Sequence, residues 1–143
     1  MTVSRFGMVA LPLVWVTLVG TAPRASQGAS TVDGVYTEEQ ATRGAATYMK
    51  ECSSCHGEGL GGDGFAPALT GPEFLGNWNG TTVGDLFDRM RLSMPPSNPS
   101  SVSAQSKADI VAHVLKSNKY PAGKTELVKD LEPLKQIKFD LPK

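Results

Sequence analysis

The sequence predicts an all-α protein with three main helices joined by long loops. Three segments carry apolar residues at helical spacing, and each follows a Ser or Thr that can cap a helix. The segments between them are rich in Gly and Pro, which contribute 15 and 10 of the 143 residues. No segment alternates apolar and polar residues convincingly, so we expect no β-sheet.

The first helix is predicted to run from Thr37 to about Lys50. Thr37 and Gln40 have the form of a capping box, in which the Thr hydroxyl accepts from a free backbone N–H and the Gln side chain reaches back. Gly44 and Tyr48 lie on its apolar face. Because Gly inside a helix costs about 1 kcal/mol relative to Ala, Gly44 indicates that a second helix approaches closely.

Residues 57–80 are predicted to form an irregular loop because Gly and Pro interrupt them repeatedly. The second main helix is predicted from Thr82 to about Leu92, with Thr82 and Asp85 forming another capping box. It ends at Met94, because the proline that follows disfavours a helical conformation for the residue before it. The large apolar side chains of the preceding loop must pack on other parts of the protein: Leu60, Phe65, Leu69, Phe74, Leu75 and Trp78.

The third main helix is predicted to start at Ser103, which can cap it, and to reach about Asn118. Its broad apolar face indicates an interior position. In the tail, residues 124–143, four apolar residues have helical spacing that Pro133 interrupts: Leu127, Leu131, Leu134 and Ile137. We therefore expect a domain over residues 29–123 and a C-terminal extension, residues 124–143, packed on its surface.

Residues 1–28 are predicted to be a secretory signal peptide. Arg5 precedes an uncharged stretch of 18 residues, and small polar residues follow. Small residues permit cleavage after Gly28 or after Ser30. The most apolar part is shorter than the roughly 20 residues of a membrane span, although an uncleaved anchor is the alternative. The mature chain is expected in the periplasm, without a membrane span after cleavage.

The charge balance argues against a nucleic-acid partner, and the cysteine content argues against a disulfide-rich fold. Lys and Arg number 14, as do Asp and Glu, so the formal net charge is zero. A neutral chain has no electrostatic reason to bind nucleic acid. Two cysteines are too few for a disulfide scaffold.

The CSSCH motif at residues 52–56 carries the functional prediction. C-x-x-C-H is the attachment signature of c-type haem. Two thiols three residues apart on a helical turn can both reach one edge of the macrocycle, and the adjacent His56 can bind the iron. The alternatives are a Cys52–Cys55 disulfide, a thioredoxin-type pair, which needs a βαβ pattern, and a zinc site completed by His113.

Met94 is the candidate for the second axial ligand of the iron. It lies 38 residues after His56, enough chain to reach the opposite haem face, and the two prolines after it stiffen the backbone. Met49 and Met90 occur at helical spacing with apolar neighbours, which is typical of core methionines. His113, in the third helix, is the competing ligand.

Three further side chains or carbonyls are candidates for contact with a haem. The Pro67 carbonyl can accept from His56 Nδ1–H and so fix the ring. Trp78 can pack on the haem edge and donate its indole N–H to a propionate, and Arg91 or Arg89 can neutralise a propionate. The alternatives are an ordinary loop proline, a structural aromatic and a solvated charge.

The chain resembles class I monohaem cytochromes c over residues 36–122. The resemblance implies one covalently bound haem c and packing of Gly44 and Tyr48 against the Val111/Leu115 face of the last helix. Residues 74–99 are similar more specifically to small periplasmic cytochromes associated with quinoprotein alcohol dehydrogenases. The features shared with class I cytochromes c are the helix with Gly44 and Tyr48, CSSCH at 52–56, APAL at 66–69, MPP at 94–96 and the final helix.

Motif and resemblance together predict a periplasmic one-electron carrier that is not an enzyme. An iron with both axial positions filled changes charge without changing ligands. The expected partners are redox proteins: a dehydrogenase, with the quinoprotein type as a candidate, as donor, and an oxidase as acceptor. The chain would be a monomer or part of a weak complex. The alternatives are a cytochrome subunit of a dehydrogenase or oxidase complex, docked through the tail, and a ligand-binding or peroxidatic haem protein.

Overall fold

The computed structural model describes Met1 and residues 29–142, so the predicted signal peptide lies, apart from Met1, outside the described residues. Helices and turns make up the described part, with two isolated β-bridges and no strand, which confirms the all-α prediction there. None of these helices combines the length and apolar character that a membrane crossing requires. The six helices are α1 (Glu38–Glu51), α2 (Ser53–His56), α3 (Gly71–Trp78), α4 (Val83–Ser93), α5 (Ala104–Ser117) and α6 (Leu131–Leu134).

The helices α1 and α5 pack together at the centre of the fold. A Cβ atom on Gly44 would lie 1.8 Å from the carbonyl oxygen of Asp109, so a side chain has no room at this crossing. The Tyr48 ring lies 5.4 Å from the ring of His113, measured between centroids. The close approach predicted from Gly44 is present. The atoms nearest to a Cβ on Gly44 belong to the Asp109–Ile110 backbone, and the expected packing on the Val111/Leu115 face stays a prediction.

The cap of α1 differs from the predicted box. The hydroxyl of Thr37 accepts from Gln40 N at 3.1 Å, which is one half of the motif. The Gln40 side chain is fully buried and turns inward. Its Nε2 donates to Asp109 and to the Leu127 carbonyl, and its Oε1 accepts from Leu127 N at 2.7 Å. The residue that we expected to cap α1 therefore joins the helix pair to the C-terminal extension.

The loop predicted over residues 57–80 contains the helix α3, so that prediction is wrong for Gly71–Trp78. Pro72 lies in the first turn, where its missing N–H costs no helical hydrogen bond. Phe74 is 3% exposed and packs into the core, and Trp78 follows it one turn later. The glycines inside this segment hid the helical spacing from the sequence pattern.

The C-terminal extension contributes three side chains to the core. Leu127, Leu134 and Phe139 are buried, although most residues of the extension are exposed. The Phe139 ring meets Tyr120 and Phe74 edge-on, with centroids 5.6 and 6.1 Å apart. The apolar interior is therefore completed by residues beyond the expected domain boundary.

Backbone hydrogen bonds fasten the extension to the start of the described chain. Lys138 N donates to the Ala29 carbonyl, and Thr31 N donates to the Lys138 carbonyl, both at 2.9 Å. Val83 N, at the start of α4, donates to the Ile137 carbonyl at 2.9 Å. The extension thus lies between the N-terminal segment and α4.

Candidate functional site

The CSSCH motif lies at the junction of α1 and α2. Cys52 ends the first helix and begins the second, and Cys55 N and His56 N donate to its carbonyl at 3.2 and 3.0 Å. This turn places the two cysteines three residues apart with free thiols. Cys55 is exposed and Cys52 is half-buried. Burial raises the pKa of Cys52 to about 11, so its thiol keeps the proton at neutral pH.

The imidazole of His56 is buried, with 8% of the residue exposed. Its Nδ1 lies 2.8 Å from the carbonyl oxygen of Pro67. A neutral ring that donates through Nδ1 carries its free lone pair on Nε2, which can then bind a metal. The structure therefore brings together four of the predicted site residues: Cys52, Cys55, His56 and Pro67.

A glycine holds the loop that carries Pro67 against His56. Gly62 N donates to the His56 carbonyl at 2.8 Å, and its φ of +75° is in the left-handed region. A Cβ on Gly62 would lie 2.6 Å from the Ala66 carbonyl oxygen. Both the backbone angle and the space at this position require Gly. An open cavity of about 430 Å³ lies beside this loop and is lined in part by Pro67 and Ala66.

Met94 directly follows α4 in an extended conformation. Its φ and ψ are −126° and 134°, its backbone N donates to the Met90 carbonyl at 2.9 Å, and its side chain is half-buried. The loop after it turns at once, since Asn98 N donates to the Pro95 carbonyl at 3.1 Å. The role of Met94 as an axial ligand remains a prediction.

Trp78 and Arg91 have protein partners of their own. The Trp78 ring lies 6.2 and 6.5 Å from the rings of Phe74 and Phe139, in an aromatic cluster with the C-terminal extension. The guanidinium of Arg91 forms an ion pair with Asp88 at 2.6 Å. Contacts of both residues with a haem remain predictions.

The zinc alternative finds no support in the described part of the chain. His113 lies on α5 beside Tyr48, and burial lowers the pKa of its imidazole. Nowhere between residues 29 and 142 do three or more His, Cys, Asp or Glu side chains gather in a way that could hold a metal ion.

Sequence reasoning missed Lys107, on the first turn of α5. This residue is 2% exposed, and its Nζ donates to the carbonyls of Met90, Arg91 and Pro99. Its charge also lowers the pKa of the Cys52 thiol, against the larger effect of burial. The helical spacing could have predicted its burial, because Lys107 lies four residues before Val111 and seven before Val114, on the apolar face.

The residues present fit a covalently attached haem. One helical turn offers two free thiols for thioether bonds and a buried imidazole whose Nδ1 is already engaged. A thioether side chain follows the end of α4. A c-type haem uses two cysteine thiols for covalent attachment, and an imidazole nitrogen and a thioether sulfur as iron ligands.

Comparison with known proteins agrees with this chemistry. A family model described as cytochrome c oxidase, cbb3-type, subunit III matches residues 39–114, more than half of the chain. Searches of curated proteins and of solved structures returned no match. The matched region runs from α1 through most of α5 and includes CSSCH, Met94 and Lys107. The chain therefore belongs to the cbb3-type cytochrome c oxidase subunit III family and is a class I c-type cytochrome, a protein with covalently bound haem c.

Proposed function

We propose that this cytochrome is an exported one-electron carrier whose single haem is attached through Cys52 and Cys55 and ligated by His56 and Met94. When bound, the haem iron supplies reversible one-electron oxidation and reduction. The observation that carries the proposal is the 2.8 Å contact between His56 Nδ1 and the Pro67 carbonyl. It fixes the ring and leaves Nε2 free to bind a metal.

The proposed pair of ligands favours a carrier over an enzyme. His56 and Met94 would both serve as ligands of the iron, which would leave no position on it for a substrate. Cytochrome c domains of this kind transfer electrons rather than turn over substrates. The equal numbers of acidic and basic residues favour a small, weakly attracted docking surface. Electrons would pass from a periplasmic dehydrogenase, with the quinoprotein type as the candidate, toward an oxidase.

A second candidate is a subunit within an oxidase complex. The description of the matching family, which names an oxidase subunit, favours it. Affinity purification of the exported protein in mild detergent separates the candidates. A soluble carrier elutes alone with its haem, whereas a subunit retains oxidase chains at a fixed ratio through gel filtration.

Visible spectroscopy of the exported holoprotein tests the proposed ligands. We expect a low-spin spectrum, a sulfur-to-iron charge-transfer band in the ferric state and no change when CO is added to the ferrous protein. Met94→Ala should lose the band, bind CO and have a lower reduction potential. The matched control is Met49→Ala, because Met49 is 45% exposed on α1 and should leave all three properties unchanged. A Met94→Ala variant with the parental band would contradict the proposal.

A further inference from the structure

Lys107 is a buried cation without a carboxylate partner. Only 2% of the residue is exposed, and none of the ion pairs found between residues 29 and 142 includes it. Removing an ammonium group from water is costly unless hydrogen bonds replace the lost hydration. Here three backbone carbonyls do so, which accounts for all three donors of the group.

The three acceptors lie on both sides of the segment that contains Met94. Nζ donates to Met90 O at 3.2 Å and to Arg91 O at 3.3 Å, both in the last turn of α4. It also donates to Pro99 O at 2.7 Å, in the 3-10 turn after the loop. A single side chain on α5 therefore holds the two ends of residues 92–98 together.

The position also suits the charge. The last four carbonyls of a helix lack intrahelical partners, and the C-terminus carries a partial negative charge. Lys107 meets this end of α4 with a full positive charge. An apolar side chain of similar size would fill the space but would leave the Arg91 and Pro99 carbonyls without this donor, while the Met90 carbonyl would keep only Met94 N. The cation thus contributes to loop geometry, beyond the filling of space.

We propose that Lys107 is a positioning residue that holds Met94 in reach of the haem iron by fastening both ends of its loop. This inference rests on the proposed role of Met94 as an axial ligand. Lys107 does not touch the iron in this view. Its effect passes through the backbone of residues 92–98. The quantity to measure is therefore the bond between Met94 and the iron, and not the amount of folded protein.

The test compares Lys107→Met with Lys116→Met in the holoprotein. Methionine is also unbranched, although one heavy atom shorter, and it removes the charge and the donors. Lys116 lies on the same helix, but it is exposed and pairs with Glu38 away from the loop. We expect Lys107→Met to weaken the sulfur-to-iron band and to bind CO in the ferrous state, which the parent should not do, because the loop loses its charge-assisted hydrogen bonds. Lys116→Met should behave as the parent does.

Combining the substitution with Met94→Ala shows whether Lys107 acts through Met94. In the Met94→Ala background, Lys107→Met should add little to the rate of CO binding, because the ligand bond that it loosens is already absent. A full additional effect there, or a parental band and CO rate in Lys107→Met alone, would overturn the inference. Loss of the band in Met94→Ala in the same experiment shows that the proposed function stands independently; a retained band overturns both.

A second variant covers failure of Lys107→Met to fold. Lys107→Gln keeps one neutral donor group on a shorter side chain, which cannot serve both ends of the loop. It should give the same loss of the band, measured at equal haem content. A parental band in Lys107→Gln would also overturn the inference.

Discussion

The hydroxyl of Tyr48 donates to the carbonyl oxygen of Gly57 at 2.6 Å. This bond joins the last turns of α1 to the residue that directly follows CSSCH. Tyr48 itself is fully buried, and burial raises the pKa of its hydroxyl to about 12. Tyr36 is similar: its hydroxyl donates to the Tyr120 carbonyl at 2.7 Å, and burial raises its pKa to about 12.

These two tyrosines predict a loss of stability at alkaline pH. Their folded-state pKa lies above the ordinary value of 10.0, so the fold favours the neutral hydroxyl. The stabilisation is complete below about pH 10 and is lost as the pH rises toward about 12. Denaturant unfolding of the holoprotein followed by far-UV circular dichroism at several pH values measures it. Tyr48→Phe should be about 1 kcal/mol less stable at neutral pH and should lose less stability on alkalisation. An unchanged alkaline slope in both Tyr48→Phe and Tyr36→Phe would contradict the assignment.

Gly44→Ala should destabilise the protein by about 2–3 kcal/mol, because the added Cβ would overlap the Asp109 backbone and force α1 away from α5. Gly76→Ala is the matched control, since nothing lies within 4 Å of a Cβ at that helical position. It should be neutral or stabilising by up to about 1 kcal/mol. Thermal unfolding of both holoproteins measures the difference. Equal melting temperatures would show that the helix pair is not packed as described.

Phe139→Ala should cost about 3–5 kcal/mol of unfolding free energy, because it removes a fully buried ring from the aromatic cluster with Phe74, Trp78 and Tyr120. The control is Leu141→Ala, whose side chain is largely exposed and should change stability by less than about 0.5 kcal/mol. Urea unfolding gives both values. If Phe139→Ala is as stable as Leu141→Ala, the extension is a separable appendage and its buried side chains do not hold the core together.

Local signals in the sequence predicted the main helices well. The complete capping box of Thr82 and Asp85 and the cap at Ser103 lie where the pattern indicated, because each involves residues only three apart. The cysteines and His56 of the motif are likewise neighbours in the chain. Spacing alone therefore located most of the candidate site.

Long-range contacts account for what the sequence did not predict. The Gln40 side chain does not cap α1. It bonds instead to Asp109 and Leu127, which lie 69 and 87 positions away in the chain. Lys107 is polar by type, and only the carbonyls supplied by other segments make its burial possible. The core position of Phe139 likewise depends on rings from α3 and the segment after α5. A local pattern of residues cannot predict contacts with partners that are distant in the chain.

The pairing of Ala29 with Lys138 has a consequence for the order of folding. Ala29 accepts a hydrogen bond from Lys138, so the N-terminal segment of the domain pairs with a part of the chain that is synthesised about 100 residues later. Until Phe139 arrives, the aromatic rings of α3 have no cover on that side. The CSSCH thiols therefore leave the ribosome well before Phe139, the residue that completes the aromatic cluster.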